Sequence, residues 1–191
     1  MNFPSIYLAS GSPRRSELLT QIGVDFSVLS VDVDESRFED ETPVEYVQRV
    51  AIAKAKAGSD ALGKQSPLPV LGADTSVVLG NDVLGKPVDD INARIMLKRL
   101  SGTSHQVLTA VAIVSEQHIL CKLNTSSVTF AELSDADIDW YISTKEGVDK
   151  AGGYAVQGFA ALFITEIQGS YSGIMGLPIR ETGELLKRIA G

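Results

Sequence analysis

Leu8-Ala-Ser-Gly-Ser-Pro-Arg-Arg-Ser16 follows the short apolar run Ile6-Tyr7-Leu8 and reads as a strand that breaks into a small-residue loop and then into a helix. Side chains as small as those of Ala9, Ser10, Gly11 and Ser12 let a ligand approach the backbone closely, and Pro13 is preset for a first helical turn. Ser12 is a natural N-cap and Glu17 falls in the first turn, so the free N–H groups of the helix point toward the same loop. Arg14 and Arg15 stand beside it as permanent cations. The segment suits an anion cradle. It also suits a plain strand-to-helix turn with solvated arginines, and no Gly-Lys-Ser/Thr follows to make it a Walker loop.

Outward from that turn, Leu18, Leu19 and Ile22 form a helical stripe that stops at Gly23, and Val24 to Val33 reads as extended, which gives a β-α-β opening. Asp32, Asp34 and Glu35 follow, three carboxylates that suit either a divalent cation or a hydrated acidic loop. Thr42 to Leu62 predicts a long helix, with Thr42 as N-cap, Pro43 first and Glu45 three residues after the cap. Val47, Val50, Ala51 and Ala57 form its buried stripe. Lys54 and Lys56 lie two positions apart, hence on different faces, so at most one of them enters a site, and Lys54 is the candidate.

Pro69 to Leu79 is a β-branched and aliphatic run interrupted by Gly72, Ala73 and Asp74. A carboxylate within an apolar strand is costly unless paired or metal-bound, which makes Asp74 the leading catalytic candidate. Asn81 and Asp82 turn the chain, and Leu84-Gly-Lys-Pro87 brings Lys86 back across a hairpin ahead of a helix. That helix, Asp89 to Leu100, is expected to turn Ile91, Ile95, Met96, Leu97 and Leu100 inward. His105 to Ser115 and Ile119 to Ala131 predict an antiparallel hairpin joined around Glu116 and Gln117. His105 and His118 have no ligand-spaced partner and read as structural or surface residues.

Ser134 caps a further helix with Asp137 at the third position, Ile138, Tyr141 and Ile142 share one face, and Gly147 ends it. In Asp149-Lys-Ala-Gly-Gly-Tyr-Ala-Val-Gln-Gly158, glycines would let the backbone meet a planar ligand, and the Gln157 amide offers a donor and an acceptor to a base edge. A plain strand with glycine bends is the competing reading. Ala161 to Ile167 predicts a last strand, 168–173 a loop, and Pro178 the start of a terminal helix carrying Leu185, Leu186 and Ile189.

With 191 residues and 44% hydrophobic content, the chain can bury a substantial core and is read as a single domain over 1–191. Its net charge of −7 argues against a general nucleic-acid or polybasic membrane binder, so an anionic ligand should be small. Cys121 is the only cysteine, which removes disulfide frameworks and cysteine zinc sites and suits a reducing cytoplasm. The first residues lack a signal-peptide pattern, and no apolar run approaches the roughly 18 residues of a membrane span.

The order of elements specifies an α/β protein with a mixed sheet. The polar residues left without a structural account are Ser10, Arg14, Arg15, Lys54 and Lys86, the carboxylates Glu35 and Asp74, and the Gln157 segment. Phosphate ligands, a metal or base centre and a base reader together fit a nucleotide. No histidine or cysteine is placed as a nucleophile, so metal-assisted attack of water on phosphorus is favoured over covalent catalysis.

Leu8–Ser16, Gly72-Ala-Asp-Thr75, Gly85-Lys-Pro87, Leu100-Ser-Gly102 and Asp149–Gly158 together resemble the Maf family of nucleotide pyrophosphatases, from Ile6 to Gly176-Leu-Pro178. The resemblance implies a two-lobed α/β fold around a long twisted mixed sheet, like that of inosine triphosphate pyrophosphatases. It implies hydrolysis of nucleoside triphosphates to the monophosphate and pyrophosphate with Mg²⁺ or Mn²⁺, and an association with septum formation and cell-division arrest. It makes Asp74 the proton acceptor, Glu35 its metal partner, and Ser10, Arg15, Lys54 and Lys86 the lining of the phosphate and metal site. Arg14, Thr75 and Gln157 resemble the branch acting on dTTP and UTP, where the 7-methyl-GTP branch carries tryptophan, glutamine and glutamate. Ala53 stands where many members have glutamate, and Gly85 where close dTTP/UTP-type relatives often do. Homodimers are common among such enzymes, though nothing in the sequence marks an interface, and neither a stable nucleic-acid complex nor a membrane partner is expected.

Overall fold

In the computed structural model, which describes residues 3–63, 68–116 and 118–190, the opening strand β1 (Ile6–Leu8) pairs in parallel with β2 (Phe26–Val28) on one side and with β3 (Val70–Leu79) on the other. Between them lie α1 (Pro13–Gln21) and α2 (Pro43–Leu62). β4 (Asp82–Leu84) folds back antiparallel on β3, with Val78 opposite Val83. Then come α3 (Asp90–Leu100), β5 (Ser104–Val114), β6 (Ile119–Phe130) and α4 (Asp135–Ser143). Two 3₁₀ turns, Ala151–Gly153 and Phe159–Phe163, lead into β7 (Ile164–Gln168), α5 (Tyr171–Met175) and α6 (Ile179–Ala190). The sheet is mixed and seven-stranded, in the order β2-β1-β3-β5-β6-β7 with β4 added to β3. Ser115 N–H donates to His118 O at the β5–β6 turn, and Gln117, which the sequence places in that turn, lies outside the described residues.

The chain divides into two compact units. The first holds the residues up to Asp74, Thr109–Asn124 and the chain from Gly176 onward; the second holds Thr75–Leu108 and Thr125–Met175. In the first, Leu8, Leu19, Val47, Val50, Leu71 and Val111 are fully or almost fully buried. In the second, Leu97, Leu100, Val128, Phe130, Ile138 and Tyr141 anchor one apolar cluster. Among the described residues no helix is long and apolar enough to cross a membrane.

Several expectations need correcting. The extended run Val24–Val33 forms a regular strand only over Phe26–Val28, because the partner strand β1 is itself three residues long. Ser12 occupies the cap position of α1, but its side chain makes no capping hydrogen bond and no acid lies in the first turn, so Glu17 sits beyond it. The buried stripe of α2 runs through Ala55 and Gly58 rather than Ala57. On α3 only Met96, Leu97 and Leu100 are buried, while Ile91 and Ile95 are 72% and 52% exposed, an apolar face wider than its packing partner needs. α4 ends at Ser143, four residues before Gly147. The last strand begins at Ile164 after a 3₁₀ turn, and the supposed loop 168–173 contains the start of α5. The caps of α2 and α4 are as expected, with reciprocal Thr42–Glu45 and Ser134–Asp137 capping boxes.

Candidate active site

The approach of α2 to β3 sets the geometry. Val70, Gly72 and Asp74 alternate along β3 and so share one face. At Gly72 a Cβ atom would lie 2.5 Å from both Ala51 O and Ala55 N, and at Gly58 a Cβ would meet Val70 at 2.8 Å. Helix and strand therefore touch backbone to backbone, and the small residues Ala51, Ala55 and Gly58 are what allow it. At that distance Lys54, from the same helix, reaches Asp74.

Lys54 Nζ donates to Asp74 Oδ1 at 2.9 Å and also stands 2.9 Å from Glu35 Oε1. Asp74 is 6% exposed. Burial pushes its carboxyl above the ordinary range, Lys54 and Arg15 pull it back, and the Glu35 charge pushes the same way as burial. An aspartate whose affinity for a proton is raised by desolvation is better suited to accept one from water than a free carboxylate is.

Arg15 lies in the same unit and is almost wholly buried. Its Nε donates to Gly176 O at 2.9 Å and its Nη1 to Ser10 Oγ at 3.0 Å. Burial is the main influence lowering its pKa, with Asp74 and Glu35 opposing that effect. Arg15 thus ties the small-residue loop to the chain entering the terminal helix, a structural duty that its place in the sequence does not reveal. Ser12 N–H in turn donates to Ser10 Oγ at 3.3 Å. Arg14 is partly exposed.

Glu35 comes from an irregular segment that α2 holds in place, a device the sequence reading missed. Tyr46 O–H donates to Glu35 O at 2.9 Å, and Arg49 donates to Ser36 O at 2.8 Å and to Glu41 Oε2 at 2.9 Å. The Arg49 guanidinium also covers the Phe38 ring at 4.2 Å from its centroid. Tyr46 and Arg49, three apart on one helix face, were the available signal.

Five of the anticipated residues, Ser10, Arg15, Glu35, Lys54 and Asp74, thus belong to the first unit, with Arg14 beside them on α1. Thr75, Lys86 and Gln157 belong to the second. Thr75 follows Asp74 on β3 and faces the opposite side of the sheet. Lys86 is exposed in the link between β4 and α3, and Gln157 is exposed at the end of the glycine-rich segment. Gly152 N–H donates to Gly85 O at 3.0 Å, which joins that segment to the neighbour of Lys86. The segment is not a strand. Gly152 has a φ of +68°, and a Cβ there would meet the Val77 side chain at 2.9 Å, so packing accounts for it.

No group of three or more His, Cys, Asp or Glu side chains among the described residues could hold a metal. The pair Glu35 and Asp74 offers hard oxygen donors, converging on one ammonium, which fits a small divalent cation completed by ligand phosphates better than an all-protein cage.

The Maf family profile, described as Maf-like protein, matches residues 5–189. A dTTP/UTP pyrophosphatase of Pseudoalteromonas translucida is 50% identical over 183 residues, covering 96% of each chain. One from Alkalilimnicola ehrlichii is 51% identical over 96% of this chain and 92% of its own, and one from Escherichia coli is 50% identical over 95% and 91%. In shape, the Ham1 protein of Staphylococcus aureus is a partial likeness, with a TM-score of 0.48 at 21% identity over 67% of this chain and 72% of that one. With its profile matched almost end to end and relatives half identical along nearly their full length, the chain belongs to the Maf family.

Proposed function

We propose that this chain hydrolyses dTTP and UTP to the monophosphate and pyrophosphate. The observation that carries the reading is the buried Asp74 carboxylate, pushed up by desolvation and held by Lys54 beside Glu35. Support comes from the relatives named dTTP/UTP pyrophosphatase at about half identity over nearly the whole chain.

In this reading Asp74 takes the proton of a water molecule as its oxygen attacks phosphorus, the α–β anhydride breaks, and pyrophosphate leaves with the electron pair. Lys54 holds Asp74 in place and favours its ionised form against the effect of burial. Ser10, Arg15 and Lys86 bind the phosphates, and Arg14, Thr75 and Gln157 select the base. Glu35 and Asp74 would hold Mg²⁺ or Mn²⁺, which when bound offsets charge on the phosphates. A cytoplasmic setting suits the lone cysteine, Cys121.

Purified protein incubated with a panel of nucleoside triphosphates, with and without metal chelation, tests the proposal. The expected result is pyrophosphate released from dTTP and UTP, lost on chelation and restored by Mg²⁺ or Mn²⁺. Release of orthophosphate alone, or a strong preference for 7-methyl-GTP, would overturn it. Tight dTTP binding without turnover would favour a nucleotide-binding regulator, a reading motivated by Ala53 and Gly85, where the resemblance leads one to expect acids.

A further inference from the structure

Gln157 lies inside a stretch of backbone that two side chains grip from both ends. Ala155 N–H donates to Tyr141 Oη at 3.3 Å, and Tyr141 O–H donates to Glu146 Oε1 at 3.0 Å. The same carboxylate accepts Phe159 N–H at Oε2, 2.8 Å, and Ala160 N–H at Oε1, 3.4 Å. Tyr141 and Glu146 thus form a bracket whose jaws close on residues 155 and 159–160. Tyr154, Ala155 and Val156 are buried on one side and Ala160 on the other, while Gln157 between them is exposed.

The surrounding chain is shaped to the bracket. A Cβ on Gly158 would lie 2.0 Å from Glu146 Oε2, so the carboxylate fills the space a side chain would need. Lys145, with φ +60°, is the one non-glycine residue among those described with a positive φ. That conformation is unfavourable for a residue with a Cβ and persists where neighbouring contacts over-determine it; here it turns Glu146 back onto the segment. On the other side of Glu146, a Cβ on Gly147 would lie 2.0 Å from Gly153 O, so the turn also rests directly on the glycine-rich backbone.

A glutamine amide is a poor selector when free, because a half rotation exchanges its donor and acceptor. Fixing its backbone sets how far and from which side that amide reaches the base edge. We propose that Tyr141 and Glu146 are positioning residues for base selection, holding the backbone at Gln157 so that its amide reaches the base edge of uracil or thymine. This rests on the reading of Gln157 as the residue that meets the base. Uracil presents an N3–H donor beside an O4 acceptor, and cytosine reverses both, so the ratio of kcat/KM for UTP to that for CTP reports how the base edge is read.

The test measures kcat and KM for UTP and CTP in the wild type and in Tyr141→Phe, Glu146→Gln and Gln157→Ala, with folding checked by circular dichroism and thermal denaturation. Loosening the bracket is expected to lower the UTP-to-CTP ratio about tenfold, partly through a rise in kcat/KM for CTP, since each discriminating hydrogen bond is worth about that factor. A merely structural role would lower both substrates together. If Gln157→Ala lowers the ratio while folded Tyr141→Phe and Glu146→Gln leave it unchanged, the bracket has no part in selection. If Gln157→Ala itself leaves the ratio unchanged, the base-reading role of Gln157 falls and the bracket's role with it. Should Tyr141→Phe fail to fold, Glu146→Gln, at a partly exposed position, decides the matter alone.

Discussion

Lys54 Nζ stands 2.9 Å from Asp74 Oδ1 while its own Cα sits on a helix packed backbone to backbone against the strand that carries Asp74. The ion pair is therefore a consequence of a close contact made two residues earlier on β3, at Gly72. The same ammonium reaches Glu35, so one cation restrains two carboxylates that would otherwise repel each other.

Asp74→Asn separates activity from stability. Because the folded carboxyl is raised, first by desolvation, the folded protein keeps this proton to higher pH than the unfolded chain, whose carboxyl titrates near ~4. Stability gained from the protonated form is thus complete below that value and is lost as pH rises through the folded value. Asp74→Asn should lower kcat at least about a hundredfold, the lower end for loss of a general base. Its Tm relative to wild type should rise between pH 4 and pH 8. Thermal denaturation across that range checks it, and a relative Tm that falls toward pH 8 would contradict the assignment.

Gly72→Ala should damage the site without touching any charged group. The added methyl would sit 2.5 Å from Ala51 O and Ala55 N, both backbone atoms, so α2 has to move. Overpacking of this kind costs about 1–3 kcal/mol. The displaced helix carries Lys54 away from Asp74, so kcat should fall along with the denaturation midpoint. Ala73→Gly, one position away on the other face of β3, should leave kcat less affected.

Much of this was legible in the sequence. The capping boxes of α2 and α4, the β5–β6 hairpin and the opposite fates of Lys54 and Lys56 all follow from local rules of spacing. Asp74 stood out because a carboxylate in an apolar strand demands an explanation. What local rules could not show was tertiary. Arg15 looks like its neighbour Arg14 until Gly176 and Ser10 are brought to it. Ile91 and Ile95 follow the helical period of the buried residues yet face outward, because periodicity marks a stripe without fixing how wide the partner surface is. In sequence the glycines near Tyr154 suit ligand contacts, whereas packing accounts for Gly152 through Val77 and for Gly158 through Glu146.

The two arginines of the opening loop should behave differently. Arg15→Ala removes a buried guanidinium bonded to Gly176 O and Ser10 Oγ, leaving those acceptors without that donor. It should lower stability by about 1–3 kcal/mol and weaken every triphosphate alike. Arg14→Ala, at a partly exposed position, should leave Tm close to wild type and change the ratio between substrates. Denaturation curves and kcat/KM for dTTP, UTP and a purine triphosphate test both. A uniform effect of Arg14→Ala across substrates would remove it from base selection.

His105 should make the protein lose stability in mild acid. Its Nε2 lies 2.8 Å from Tyr154 Oη, Phe130 and Tyr154 meet its ring edge-on, and its Nδ1 is buried with no hydrogen-bond partner among the described residues. Leaving a lone pair unmatched there costs less than burying an unpaired N–H, so the favoured tautomer carries its proton on Nε2 and donates it to Tyr154. Protonation would place a charge and a new donor on Nδ1 in an apolar cluster, and burial accordingly depresses the pKa from 6.5 to about 4. A depressed folded value means that stability is complete above the unfolded value and is lost as pH falls toward the folded one. The drop amounts to roughly 3 kcal/mol between pH 6.5 and pH 4. His105→Gln keeps an amide for Tyr154 and removes the titration. Its stability at pH 7 should be lower from lost ring packing, but its urea-unfolding free energy should fall less steeply than wild type over that window. Parallel slopes for the two proteins would show that His105 is not the group responsible.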